Sequence, residues 1–172
     1  MKRLGLKWIM LFAVMPLVIV LDQLTKAQIL ERFRLGESVP VFNSFFAITY
    51  VQNTGAAFGL LAGAHPAFRV PFFIMVPLVA LAAIAIVFRK IAASDLKLSA
   101  ALSLVVGGAV GNLIDRVRLG FVVDFLDFHL NYRAHFPAFN VADSAICVGV
   151  GLLMLDLVIE KPEGKLNVSA SL

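Results

Sequence analysis

The sequence predicts a mainly α membrane protein: four transmembrane helices carrying a small extracytoplasmic β-sheet. Two observations predict it. Of the 172 residues, 60% are hydrophobic and the mean hydropathy is +0.93, well above a water-soluble domain of this size. Four apolar runs are also long enough to cross a ~30 Å hydrocarbon core, which takes about 20 helical residues. The length fits one compact unit, so a single integral membrane domain over 1–172 is expected.

The first run extends over about 6–30 and is interrupted by Asp22 and Lys26. Lys2, Arg3 and Lys7 followed by WIMLFAVMPLVIVL resemble the start of a signal peptide, but no A-x-A-like site follows and the helical pattern continues. It reads as a retained anchor. The second run, about 70–88, has no charged residue over 19 positions, and the third, about 98–114, has none over 17. The fourth covers about 137–159 around Asp143. Pro71, Pro77 and Gly107/Gly108 suit membrane helices better than isolated soluble ones.

Basic residues orient the bundle. Lys2, Arg3 and Lys7 precede the first span, Arg89, Lys90 and Lys97 flank the link between the second and third, and Lys161 and Lys165 follow the fourth. Both termini are expected in the cytoplasm, with 31–69 and 115–136 outside. Residues 39–52, VPVFNSFFAITYVQ, are rich in β-branched and aromatic side chains and read as strands before a turn at Asn53-Thr54-Gly55. FVVDFLDF at 121–128 reads the same way, giving outer β segments at about 39–58 and 121–128. The tail at 162–172 is polar and expected to be disordered. The net charge of +4 is spread over termini and loops, so no nucleic-acid partner is expected.

Depth along the helices organises the ionisable residues, which are costly inside spans and usually functional there. Asp143 lies 17 residues before Glu160, Asp115 lies 18 beyond Lys97 and Asp22 lies 15 beyond Lys7. At 1.5 Å per residue these are ~25, ~27 and ~22 Å from the inner boundary. Three helices deliver polar groups to one level near the outer surface. Asn140 and Asp143 share a face at i, i+3; Asn112 faces Asp115 and Arg116; Asp22 pairs with Lys26 at i, i+4. The plainer reading is that these are helix-end groups snorkelling to the headgroups, with Asp22–Lys26 and Asp115–Arg116 as local ion pairs. That reading suits Lys26 and Arg118 as well as a functional one, and predicts only a partial effect of Lys26→Ala. It suits Asp143 poorly, because a short side chain cannot snorkel far.

Gly107 and Gly111 form G-x-x-x-G, and Ala145 with Gly149 a small-xxx-small pair, both signs of close helix packing. Such packing would hold Asn112, Asp115 and Asn140 together. Asp124, in VVDF, lies at the same interface on a separate element. If Asp124 meets Asp143, the two cannot both ionise easily: one keeps a proton and the other acts as general base, the logic of an aspartic peptidase. Rival chemistries have less support. The lone Cys147 has no neighbouring His and reads as a small buried residue; Ser144 has no Lys or His to activate it. His65, His129 and His135 show no HExxH or paired ligand spacing; Asp127 and His129 could support a zinc site, but they read better as surface residues of a strand, so no metal and no cofactor are expected.

Taken together, DQLTK at 22–26, NTGAAF at 53–58, GGAVGNLIDR at 107–116, VVDF at 122–125 and PAFNVADSA at 137–145 resemble the signature blocks of signal peptidase II. The resemblance spans nearly the whole chain, in order. It implies an intramembrane aspartic peptidase of the bacterial inner membrane, which removes signal peptides from prolipoproteins before the diacylglyceryl-modified cysteine. It implies Asp124 and Asp143 as the catalytic pair and Asn53, Asn112, Arg116 and Asn140 as residues around it that contact substrate or the inhibitor globomycin. Asp115 is implied as a supporting residue and Asp22 and Lys26 as a structural or near-site pair. The fold implied is four spans with an extracytoplasmic β-cradle and a short periplasmic helix, which would lie in the loop at 59–68. The expected partners are diacylglyceryl-modified prolipoproteins and membrane lipids, with the chain acting as a monomer.

Two other classes compete. A small proton-coupled transporter would gather its charges near the midplane, on broken or repeated helices, whereas here they gather at one face and no inverted repeat is visible. A pure assembly or anchor protein leaves Asp124 and Asp143 without a role.

Overall fold

The computed structural model describes residues 5–42, 45–55, 61, 63–130 and 134–159. Lys2, Arg3, Lys161, Lys165, the tail at 162–172 and residues 56–58 of the second signature block lie outside the described residues. Among the described residues four helices are long and apolar enough to cross a membrane: α1 (Leu6–Arg32), α2 (Pro66–Lys90), α3 (Leu96–Leu119) and α4 (Val141–Ile159). They coincide with the four apolar runs but extend beyond most of them, since hydropathy detects the lipid-spanning part and not the polar turns at its ends.

Local chemistry sets the boundaries. The Asp95 carboxylate accepts from the Leu98 N–H at 3.0 Å and starts α3, which ends at Gly120 in the left-handed region at φ 79°. His65 caps α2 in the same way, accepting from Ala67 N–H at 3.3 Å, with Pro66 at the first helical position. Among the described residues no separate short helix precedes α2: 61, 63 and 64 are turn and bend, His65 is the cap of α2, and the rest of the expected helix at 59–68 before Pro66 lies outside them. The fourth helix starts later than the sequence predicts. Residues 137–140 are extended because Phe139 exchanges backbone hydrogen bonds with Leu126, at 2.8 and 3.2 Å.

Helix α3 is the central post, packing on α1, α2 and α4. Half of its most apolar window is buried, against none of that of α2, whose surface is left for lipid. Small residues allow the approach. A Cβ on Gly108 would collide with the Ala142 backbone and the Ile146 side chain, and one on Gly149 would sit 2.7 Å from the Ala101 carbonyl oxygen. The predicted close packing is thus present. Gly108→Ala should cost about 1–3 kcal/mol, read as a lower Tm in detergent, whereas Gly151→Ala, inside α4 with open space around it, should not lower Tm and should raise it slightly.

A four-stranded sheet in the order β1 (Ser38–Phe42), β2 (Phe46–Asn53), β3 (Val122–Leu130), β4 (Ala134–His135) stands on one end of the bundle. All pairings are antiparallel, with an irregularity in β2 between Ile48 and Val51. Ile29 from the last turns of α1 packs with Tyr50, Val123 and Phe125, fastening sheet to bundle. Because β3 follows α3 through Gly120 and the extended 137–140 segment leads into α4, the sheet delivers side chains to the helix ends.

Candidate active site

The level predicted from depth counting is a real cluster. Lys26 and Asp22 are 2% and 0% exposed. The Lys26 ammonium lies 2.8 Å from Asp22 Oδ2 and 2.9 Å from Asp115 Oδ2, and donates to Asn112 Oδ1 at 2.8 Å. It does not snorkel, and Asp22–Lys26 is not merely a local pair: the ammonium ties α1 to α3. Asp115 turns to Lys26, not to its neighbour Arg116, and accepts from the Val123 backbone N–H at 3.1 Å. Asp22 Oδ1 accepts from the Ala142 N–H at 2.9 Å, satisfying a donor at the start of α4. Gln23, which sequence reasoning missed, donates to Asp115 Oδ1 at 2.9 Å and to the Gly111 carbonyl at 3.2 Å. Gly111 has to be small, since a Cβ there would sit 2.7 Å from Asp22 Oδ2.

On this ionic floor stand Asp124 and Asp143. Asn140 and Asp143 form a reciprocal cap on α4: the Asp143 N–H donates to Asn140 Oδ1 at 2.9 Å, and the Asn140 N–H to Asp143 Oδ2 at 3.3 Å. The other Asp143 oxygen accepts from Asn112 Nδ2 at 2.7 Å. Asp124 Oδ1 accepts from Asn140 Nδ2 at 2.7 Å and Oδ2 from Asn53 Nδ2 at 2.9 Å. One asparagine, Asn140, therefore bonds both residues, and the three asparagines Asn53, Asn112 and Asn140 give every carboxylate oxygen a donor. Burial, and after it the negative charge of Asp143, pushes the Asp124 carboxyl up to about 7, against the hydrogen bonds from Asn53 and Asn140.

Both carboxylates border a cavity of about 980 Å³, whose wall includes Arg116, Phe136, Phe139 and Val148. Arg116 donates to the Gly55 carbonyl at 3.4 Å and its guanidinium lies 5.3 Å from the centre of the Phe73 ring. All nine residues singled out from sequence thus converge on one place. Two expectations fail. Cys147 is exposed and lines the cavity, because it lies one helical turn past Asp143, on the side away from α3. Asp127 and His129 are 8% and 5% exposed, not strand surface: alternation along β3 turns them inward with Phe125, while Phe128 and Leu130 face out.

A model of the Signal peptidase (SPase) II family matches residues 14–159. The lipoprotein signal peptidase of Syntrophotalea carbinolica is 53% identical over 145 residues, 84% of this chain and 88% of its own. That of Geobacter sulfurreducens is 53% identical over 143 residues, 83% and 88% of the two chains. A solved bacterial membrane enzyme, determined by the in meso method, superposes with a TM-score of 0.78 at 36% identity, covering 90% of this chain and 93% of its own. These relatives give no support to the transporter reading. With a family match over most of its length, close relatives that are lipoprotein signal peptidases and four helices long and apolar enough to cross a membrane among its described residues, this chain is a multi-pass bacterial membrane peptidase and belongs to the signal peptidase II family.

Proposed function

We propose that the chain works as a single-domain aspartic endopeptidase, with Asp124 and Asp143 as its catalytic pair, and cuts prolipoproteins immediately before the diacylglyceryl-modified cysteine. The observation that carries this reading is the bridging of the two acids by Asn140 at the edge of a large cavity. The pair shares one proton, held mainly at Asp124, where burial favours the neutral form. Asp143, in the first turn of α4, sits where the helix dipole favours negative charge and serves as the base. It takes a proton from water, and the resulting hydroxide adds to the scissile carbonyl while Asp124 protonates the carbonyl oxygen. The tetrahedral intermediate then loses its C–N bond: Asp124 takes back a proton from one hydroxyl as the carboxylic acid forms, and the cysteine nitrogen leaves with a proton returned from Asp143, restoring the pair. Asn53, Asn112, Asn140 and Arg116 hold the acids and offer polar contacts to the peptide, while Asp115, Asp22 and Lys26 fix the floor beneath them.

The termini lie on the cytoplasmic side and the site near the outer face of the inner membrane, where water reaches it. The diacyl chains lie along the apolar span surfaces beside Val148, among membrane lipids, and the chain acts as a monomer. Globomycin blocks the site. Incubation with a lipidated prolipoprotein should produce the shift of the shortened product on a gel, abolished by globomycin; an unshifted band, or a shift that globomycin does not touch, would refute the reading.

The charge state fixes the pH response. Asp124 must be protonated, and its carboxyl titrates at about 7, so activity should fall as pH rises through that value. At pH 9 kcat/KM should be about a hundredfold below its plateau, since each pH unit past the titration point is a tenfold loss of the protonated form. A rate profile flat from pH 6 to 9 would remove Asp124 from the role of acid.

A further inference from the structure

We propose that Asp127, His129 and His135 form a binding site for a zinc-class divalent cation at the β3–β4 end of the sheet, on the face opposite the catalytic pair. Each residue offers one donor atom, and the three donors lie within 4.8 Å of one another. The sheet builds this placement. Asp127 and His129 are two apart on β3 and so project to one face, and the antiparallel register sets His135 directly across from His129, their rings 5.2 Å apart. His135 Nδ1 already lies 2.9 Å from Asp127 Oδ1. The carboxylate is held from behind: Thr49 Oγ1 donates to Asp127 Oδ2 at 3.2 Å and is itself 2.7 Å from Ser38 Oγ. Such outer contacts are what orient metal-binding carboxylates.

Two imidazoles and a carboxylate select borderline cations such as zinc over magnesium or calcium, which favour all-oxygen shells. A tetrahedral zinc ion holds its donors at about 2.0–2.2 Å, hence ~3.3–3.5 Å from each other. Closing the cluster needs a contraction of about 1 Å, which His135 can supply because its side chain is 48% exposed. The cation takes the position between Asp127 Oδ1 and His135 Nδ1, the neutral imidazole then carrying its N–H on Nε2, and solvent completes the coordination on the exposed side. Asp124 is three residues from Asp127 on the strand and faces the other way, so the ion takes no part in peptide hydrolysis. Its effect is on the chain that runs on from β4: Phe136, whose N–H donates to the Phe128 carbonyl at 2.8 Å, then Phe139 at the cavity wall and Asn140 in the cap of α4. A bound cation staples this segment to β3.

The test uses the full chain in detergent, free of any polyhistidine tag and stripped with chelator. Titration with zinc chloride by calorimetry should show one saturable site, and zinc but not magnesium should raise Tm. His135→Ala, at an exposed position that leaves the fold intact, should weaken zinc binding by about tenfold or more, and His129→Gln should do the same if it folds. Asp124→Asn should bind zinc as the parent does. Absence of saturable binding, undiminished affinity in His135→Ala, or loss of zinc binding in Asp124→Asn would each overturn the proposal.

Discussion

Asp124→Asn and Asp143→Asn should each abolish cleavage of a diacylglyceryl-modified precursor while leaving the protein folded in the membrane. A positioned acid or base typically contributes 10²–10⁴-fold, and in the proposed mechanism each residue does a task the other cannot take over, so no product should be visible on a gel. Folding survives because asparagine keeps the shape. At position 124 it gives up one acceptor, facing either Asn53 Nδ2 or Asn140 Nδ2, a loss of about 1 kcal/mol. Against this stands relief from burying a carboxylate. At position 143 the asparagine still accepts from Asn112 or from the Asn140 N–H, and the cap of α4 persists through the Asn140 side chain. Membrane fractionation and thermal unfolding check the fold, and the gel shift checks the chemistry. Full activity in either variant would leave the pair without its role.

The spans were legible because hydropathy is a property of the chain in one dimension, and so was the common level of Asp22, Asp115 and Asp143, since helical rise converts sequence distance to depth. Asp22–Lys26 was legible for the same reason. What lay beyond the sequence are contacts between elements. Lys26 reaches Asn112 and Asp115 on another helix, and nothing local says that it turns inward instead of snorkelling. The outward turn of Cys147 depends on which side of α4 meets α3. The burial of Asp127 and His129 depends on β3 pairing with β2 and β4. Two signals could have been read and were not. Asn140-x-x-Asp143 is a capping-box spacing, so the helix starts at Val141 and not Pro137, and Gln23, one residue past Asp22, offers a long amide at a level already full of carboxylates.

The burial of Lys26 raises the effect expected of changing it well above the partial loss that its sequence position suggests. Lys26→Met keeps length and removes the charge. Asp22 and Asp115 are then left as two buried carboxylates, 0% and 3% exposed, facing one another with no cation between. Breaking a buried ion pair from one side costs about 3–5 kcal/mol, and here a single ammonium serves two acids and Asn112. The loss should appear as a large fall in Tm in detergent. Activity should fall with it, since the Asn112 carbonyl keeps only the longer hydrogen bond from Asn140 Nδ2, at 3.2 Å, and so holds the Asp143 carboxylate less firmly. The geometry also predicts a partial rescue. Asp115→Asn in the Lys26→Met background removes one of the stranded charges, so the double variant should be more stable than Lys26→Met alone, although Asp115→Asn by itself is destabilising. That sign reversal is a coupling that independent surface residues cannot produce. If the two substitutions simply add, or if Lys26→Met unfolds with the parent, Lys26 is a snorkelling group after all and the floor of the site is held by something else.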